Sequence, residues 1–277
     1  MYLGAHLPIS KGYQAAVRMA LEIGGNTFQF FTRNPRGSRA RALNLKDIEQ
    51  AAELARRNDF GPLVGHAPYT INLAAVAENT RAFAVMVLKE DLERLKTVGA
   101  SYLAVHPGNH GGQGIEKGID NILQCLDLIL TEPEGVTLLL EGMAGEGTEI
   151  GFRFEQLKEI YDGVKYQQRL GVILDTCHLY GAGYDIRDHL NTVLEEFDRI
   201  MGLDQLKALH VNDTKYPLAS KRDRHTNLGE GFLGVDFFVQ LVRHPEISQL
   251  PLILETPGDL ATYQKEIAFL RAAATTQ

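Results

Sequence analysis

The carboxylates and imidazoles of this chain are not scattered; they close short apolar runs. The stretch GVILDTCHLYGAGYD, residues 171–185, begins as a buried strand and then delivers Asp175, Cys177 and His178 within four positions. Each is costly to bury unless it is hydrogen-bonded, paired or bound to a metal. The same ending recurs along the chain: LVGHAP stops at His66, YLAVHPG at His106, TLLLEGM at Glu141, LKALHVND at His210 and PLILETP at Glu255. Carboxylates gathered without a cation would repel one another and take up protons. Mixed imidazole and carboxylate donors without thiolate suit zinc, manganese or iron. A further loop, KRDRHTNLGEGFLG, holds Asp223 and His225 two residues apart, and with His178 they make a three-ligand set. Lys221, Arg222 and Arg224 surround this pair, so a solvated charge run is the competing reading of the loop.

Something must bring these endings to one place. Two more apolar runs, YLGAH from Tyr2 and TFQFFT from Thr27, raise the number of expected strands to eight. Between the runs lie segments such as GYQAAVRMALEIG, RAFAVMVLKEDLERLKTVGA, GIDNILQCLDLIL and LNTVLEEFDRIMG, whose apolar residues recur at three- and four-residue steps. Strand and helix alternating eight times predict an α/β fold, a (β/α)8 TIM barrel, with its site at the C-terminal ends of the strands. No proline- or serine-rich linker interrupts it, so residues 1–277 are expected to form a single catalytic domain. His6, ending the first strand, is either a supporting residue of the site or a structural one. His110, His189 and His244 fall in a glycine loop, a helix and a helix end, and are expected to be exposed.

Composition narrows the function. No segment approaches the roughly 18 apolar residues of a membrane span, and a first strand at Tyr2 leaves no room for a signal peptide. The expectation is a cytoplasmic protein with no membrane partner. Cys125 and Cys177 are the only cysteines and form no CxxC pair, which argues against a disulfide framework or a thiolate zinc site. With 28 basic and 35 acidic residues the formal charge is −7, so a broad basic surface for nucleic acid is not expected. Positive charge at a site would have to come from bound metal.

HAPYTIN, VHPG, LEGMAGEG, DTCHLYGAGYD, HVNDTK, DRHTNLGEGFLG and LILETP resemble, in order, the motifs of the endonuclease IV family of apurinic/apyrimidinic endonucleases. The resemblance runs from GAH near the N-terminus to LETP near the C-terminus. It implies an α/β barrel with three zinc ions per chain, manganese being an acceptable occupant of one site. By that resemblance His66 and His106 hold the first zinc, and Glu141 bridges it to the second. Asp175, His210 and Glu255 complete the second, and His178, Asp223 and His225 hold the third. Glu141 and Glu255 are the residues expected to act in catalysis, Glu141 by positioning the nucleophile. No separate general base is implied. The resemblance further implies hydrolysis of the phosphodiester 5′ to an abasic site, leaving a 3′-hydroxyl and a 5′-deoxyribose phosphate, and cleaning of blocked 3′ ends. Double-stranded DNA carrying either lesion is the expected partner, and a monomer the expected state. Arg36 in FTRNPRGSR and Tyr69 in HAPYTIN match the family's residues that fill the vacated base stack. The chain departs from the family at Gly142 and Met143, where asparagine and threonine are usual, at Thr70 in place of a bulky aliphatic, and at Gly37 and Ser38, where an aromatic often follows the arginine.

Two other functions compete. A sugar isomerase or epimerase on the same barrel would use Glu141, Asp175, His210 and Glu255 around one or two metals, and fold alone does not exclude it. His66, His106 and the Asp223–His225 pair argue against it, because an isomerase needs no third metal. A non-catalytic binder of DNA lesions would need no activated water, and therefore no nine-ligand set.

Overall fold

All eight apolar runs become parallel strands of one sheet. In the computed structural model, which describes residues 1–37 and 39–275, the strands are β1 (Tyr2–Ala5), β2 (Gln29–Phe31), β3 (Val64–His66), β4 (Tyr102–Val105), β5 (Thr137–Gly142), β6 (Leu170–Asp175), β7 (Leu206–His210) and, last in the chain, β10 (Pro251–Leu254). Their order around the sheet is β1-β10-β7-β6-β5-β4-β3-β2. A parallel bridge between His6 and Gln29, with the Leu7 N–H donating to the Gln29 carbonyl at 2.8 Å, joins the two end strands and closes the barrel. Ser38, one of the departures noted above, lies outside the described residues.

Strand geometry explains why the endings converge. Side chains alternate between the two faces of a strand, so residues two apart point the same way. Val64, Ala104, Leu139, Ile173, Ala208 and Ile253 pack into a small core of their own, distinct from the large one between sheet and helices, and fill the barrel interior. Two residues beyond each stands His66, His106, Glu141, Asp175, His210 or Glu255. The apolar layer therefore forms the floor on which the polar layer rests.

Helices expected from the pattern appear as Tyr13–Glu22, Glu78–Val98, Ile115–Ile129 and Ile186–Met201. Beyond the barrel, β8 (Asp213–Thr214) and β9 (His225–Thr226) form a short antiparallel ladder within the long loop after β7. No described helix is long and apolar enough to cross a membrane.

Candidate metal centre

The opening stretch resolves into two structures that meet at one residue. Asp175 ends β6 and is also the N-cap of a short helix, Thr176–Ala182. Its Oδ1 accepts the backbone N–H groups of Cys177 at 2.6 Å and His178 at 3.2 Å. This cap satisfies donors that a helix start leaves open. It leaves Oδ2 for the centre, 3.8 Å from His210 Nδ1 and 3.4 Å from His225 Nε2. His178 is thus placed by the carboxylate it works beside. Cys177 is fully buried, and burial together with the nearby Asp175 charge pushes its thiol up to about 12, which keeps it protonated.

Glu141 lies at the middle of the cluster. Its Oε2 is 3.3 Å from His66 Nε2 and 3.4 Å from His106 Nε2, while its Oε1 is 3.2 Å from His210 Nδ1. Glu255 Oε2 approaches the same His210 nitrogen at 3.4 Å. On the far side His178 Nε2 and His225 Nε2 lie 3.3 and 3.2 Å from the two oxygens of Asp223. Four groups of donors have ligand atoms within 4.8 Å of one another: His66, His106 and Glu141; Glu141, Asp175 and His210; His178, Asp223 and His225; and Asp175, Cys177 and His225, the last including the protonated thiol. All nine side chains expected from the sequence to hold metal are brought together.

Hydrogen bonds decide which nitrogen of each histidine is offered inward. A carbonyl oxygen only accepts, so His66 donates from Nδ1 to Ala67 at 2.7 Å and His178 from Nδ1 to Gly142 at 3.0 Å. His210 is turned the other way. Its Nε2 donates to Gln29 Oε1 at 2.7 Å, because the Gln29 amide nitrogen is already committed to the Glu255 carboxylate at 2.6 Å. Such outer partners fix tautomer and ring orientation in metal sites. The inward atoms His178 Nε2 and His225 Nε2 are buried and make no hydrogen bond, though carboxylate oxygens stand close by. Buried nitrogens of this kind normally have a partner, and a divalent ion between imidazole and carboxylate would supply it. The donor set fits a borderline cation with N and O ligands.

Without metal, the cluster neutralises itself. Burial alone would lower the His210 pKa, but the Glu255 and Glu141 carboxylates carry it up to about 9. His225 is likewise opposed by burial and raised to about 9 by Asp175 and Asp223. Asp175 and Asp223 hold His178 well above the ordinary histidine value against the same burial, and Glu141 helps raise His106. In return Glu141, Glu255 and Asp223 are held below the usual carboxylate range, although burial pushes each the other way. His6 differs: burial lowers it, and its Nδ1 accepts from Gln29 Nε2 at 2.9 Å.

The family described as a xylose isomerase-like TIM barrel matches residues 17–273. A protein of Heliobacterium modesticaldum named a probable endonuclease 4 is 56% identical over 273 residues, 99% of each chain. The chain belongs to the endonuclease IV family. The crystal structure of endonuclease IV from Thermus thermophilus matches it at 34% identity with a TM-score of 0.86, covering 99% of this chain and 98% of that one. A D-tagatose 3-epimerase-like protein, 19% identical over 99% of this chain and 97% of its own, reaches a TM-score of 0.73 and shares the fold alone.

Other expected residues of this endonuclease IV family member lie around the rim. Tyr69 stands 61% exposed beside the His66–His106 edge, its ring set against Phe31 at 5.1 Å and His106 at 5.8 Å. Arg36 is exposed in the loop after β2 and does not reach the nine-residue cluster; its backbone N–H donates to Asn34 Oδ1 at 3.0 Å. Beneath that loop Arg33 and Thr32 are tied to the buried Asp91 at 2.5 and 2.6 Å. The charge run around Asp223 is not free in solvent: Arg222 and Arg224 both pair with Glu146, which also accepts the Asp223 N–H at 3.1 Å. At Gly142, expected to depart from the family, the backbone carbonyl is what receives the His178 Nδ1–H.

Two buried polar residues that serve the site were not singled out from the sequence. Gln29 spans from His210 to Glu255, and Asn212 donates to Asp175 Oδ2 at 2.7 Å while accepting the Glu255 N–H at 2.9 Å. Neither carries a signal within its own stretch of chain, because each acts between strands. Among the weaker histidines, His189 is exposed as expected. His110 and His244 are partly buried, because His110 Nδ1 accepts two N–H groups of its glycine loop and His244 turns in at the end of the helix Gly234–Arg243.

Proposed function

We propose that this chain is a zinc-dependent apurinic/apyrimidinic endonuclease. It hydrolyses the phosphodiester 5′ to an abasic site in double-stranded DNA and also removes blocking groups from 3′ ends. The observation that carries the reading is the set of eight donors, in groups whose ligand atoms lie within 4.8 Å of one another, joined by Glu255 at 3.4 Å from His210, with His66, His178 and His210 each committing one nitrogen outward so that the other is presented inward. His66, His106 and Glu141 hold one ion; Glu141, Asp175, His210 and Glu255 hold a second; His178, Asp223 and His225 hold a third. When bound, such ions polarise a phosphodiester and bring the pKa of water to about 7.

The chain's own residues do the rest. Glu141 is shared between two groups and sets their separation. Gln29 and Asn212 keep Glu255 and Asp175 aimed at the centre. An abasic nucleotide has no base to unstack, so drawing it into the barrel mouth costs less than flipping an intact one. Tyr69 on the rim fills the stack beside the extruded sugar, and Arg36 enters from the neighbouring loop.

Elemental analysis combined with a cleavage assay tests this. About three zinc per chain, and loss of abasic-duplex cleavage after prolonged chelation, are expected. One or two ions per chain would favour the isomerase reading. Full cleavage by a preparation measured to be metal-free would end the proposal.

A further inference from the structure

The loop that supplies Asp223 and His225 is held by a buried carboxylate with no part in the nine-donor set. Asp213 is fully buried. Its Oδ1 accepts the N–H groups of Thr214 at 2.8 Å and Leu233 at 2.9 Å. Its Oδ2 accepts those of Gly229 at 3.0 Å, Gly231 at 3.0 Å and Gly234 at 3.3 Å. Gly229, Gly231 and Gly234 have the G-x-G-x-x-G spacing of loops whose backbone N–H groups cradle a phosphate. Here the cradled anion is the chain's own side chain, so these N–H groups are spent internally. Gly229 and Gly234 take φ of +83° and +76° to aim them, a region that favours glycine.

The topology gives this grip a direction. Asp213 pairs with Thr226, and Thr214 with His225, in the β8–β9 ladder. The same Asp213 carboxylate then clasps the chain at 229–234, just past His225. His225 is therefore fixed on both sides, and Asp223 hangs two residues before it. We infer that Asp213 is the positioning residue of the third metal site: its five-donor clasp holds His225 and Asp223 in register with His178, and its loss releases that ion selectively. The inference rests on the three-metal reading above.

Asp213→Asn tests it, because an amide of the same shape turns an amino group toward backbone N–H donors. Outer partners of metal ligands commonly contribute 10- to 100-fold in affinity. The expected result is one of three zinc ions weakened about that much in a competition with a graded chelator, the other two held as in the unaltered chain. Trypsin should also cut faster at Lys221, Arg222 and Arg224. Gly231→Ala attacks the same clasp from the other side, since its added Cβ would stand 2.3 Å from the Thr214 carbonyl and 2.4 Å from Asp213 Oδ1. If Asp213→Asn does not fold, Gly231→Ala decides, with the same selective loss expected. Three ions retained at unaltered affinity in the folded variant, or all three weakened in parallel with the thermal midpoint, would overturn the inference. An unaltered chain that binds no ion at the Asp223–His225 pair overturns the three-metal reading itself, a result visible before any variant is made.

Discussion

Loading zinc into the metal-free chain should expel protons, and the number follows from the ion pairs of the cluster. His210 and His225 titrate at about 9, and His178 is held well above the ordinary value. At pH 7.5 a group with a pKa of 9 is about 97% protonated, whereas an unperturbed histidine is only about 9% protonated. A metal takes neutral imidazole, so His210 and His225 must each surrender a proton on binding. About two protons are therefore expected per chain from this pair, against about 0.2 if both behaved ordinarily, and His178, raised in the same direction, adds to that number. His106, also raised, adds its own fraction, and any ionisation of bound water adds to the count rather than subtracting from it. Titration calorimetry of the apoprotein with zinc, in two buffers of different ionisation enthalpy at pH 7.5, reads this number directly. Release should decline toward pH 9, where His210 and His225 are about half protonated. Fewer than about one proton at pH 7.5 would mean that the carboxylates do not charge these rings, and the self-neutralised cluster would be wrong.

Stability of the metal-free chain should follow the same groups. Histidines whose folded pKa is raised to about 9 contribute fully below the unfolded value near 6.5 and lose that contribution as pH rises through 9. The depressed carboxylates act in the opposite sense, contributing above about pH 4 and failing only as pH falls below it. The apo melting temperature should fall between pH 6.5 and 9.5 while that of the zinc-loaded form does not, and parallel curves from scanning calorimetry would refute this. Glu255→Gln should retain DNA binding in a gel-shift assay and lose hydrolysis by several orders of magnitude, because the amide removes one charge from the second group of donors and sets an amino group against Gln29; near-normal turnover would remove Glu255 from that group. Tyr69→Ala should leave zinc content unchanged and weaken binding of abasic duplex by about 1–3 kcal/mol, roughly tenfold to a hundredfold, with a much smaller loss on a flexible 3′-blocked nick. Equal losses on the two DNAs would give Tyr69 a general structural role instead.

What could be seen in the sequence was what depends on single strands. Each strand is an apolar run, and the residue two beyond its interior side chain sits in the layer above, so His66, His106, Glu141, Asp175, His210 and Glu255 could be picked out in one dimension. The eight strands and the barrel class are recovered for the same reason. Residues that act across strands were not visible. Gln29 lies within an aromatic strand and is not a metal-ligand type; its role exists only because barrel closure carries β2 past β1 to face His210 and Glu255. Asn212 stands two residues past His210, beyond the end of β7, and is not a usual metal-ligand type. Asp213 beside it is explained only by glycines 16 to 21 residues onward. The double use of Asp175, as cap and as donor, needed the short helix to be seen in place.

The apolar floor beneath the donors has a kinetic consequence. Val64, Ala104, Leu139, Ile173, Ala208 and Ile253 are all fully buried, and a layer packed like this has no channel for a hydrated ion. Traffic to the centre is one-sided, through the mouth that Tyr69 overlooks. A ligand lying across that mouth would then act as a stopper, slowing the escape of ions beyond any change it makes in their affinity. Chelator resistance would become a gauge of occupancy of the mouth: the larger the fraction of chains with DNA in place, the more slowly the ions leave.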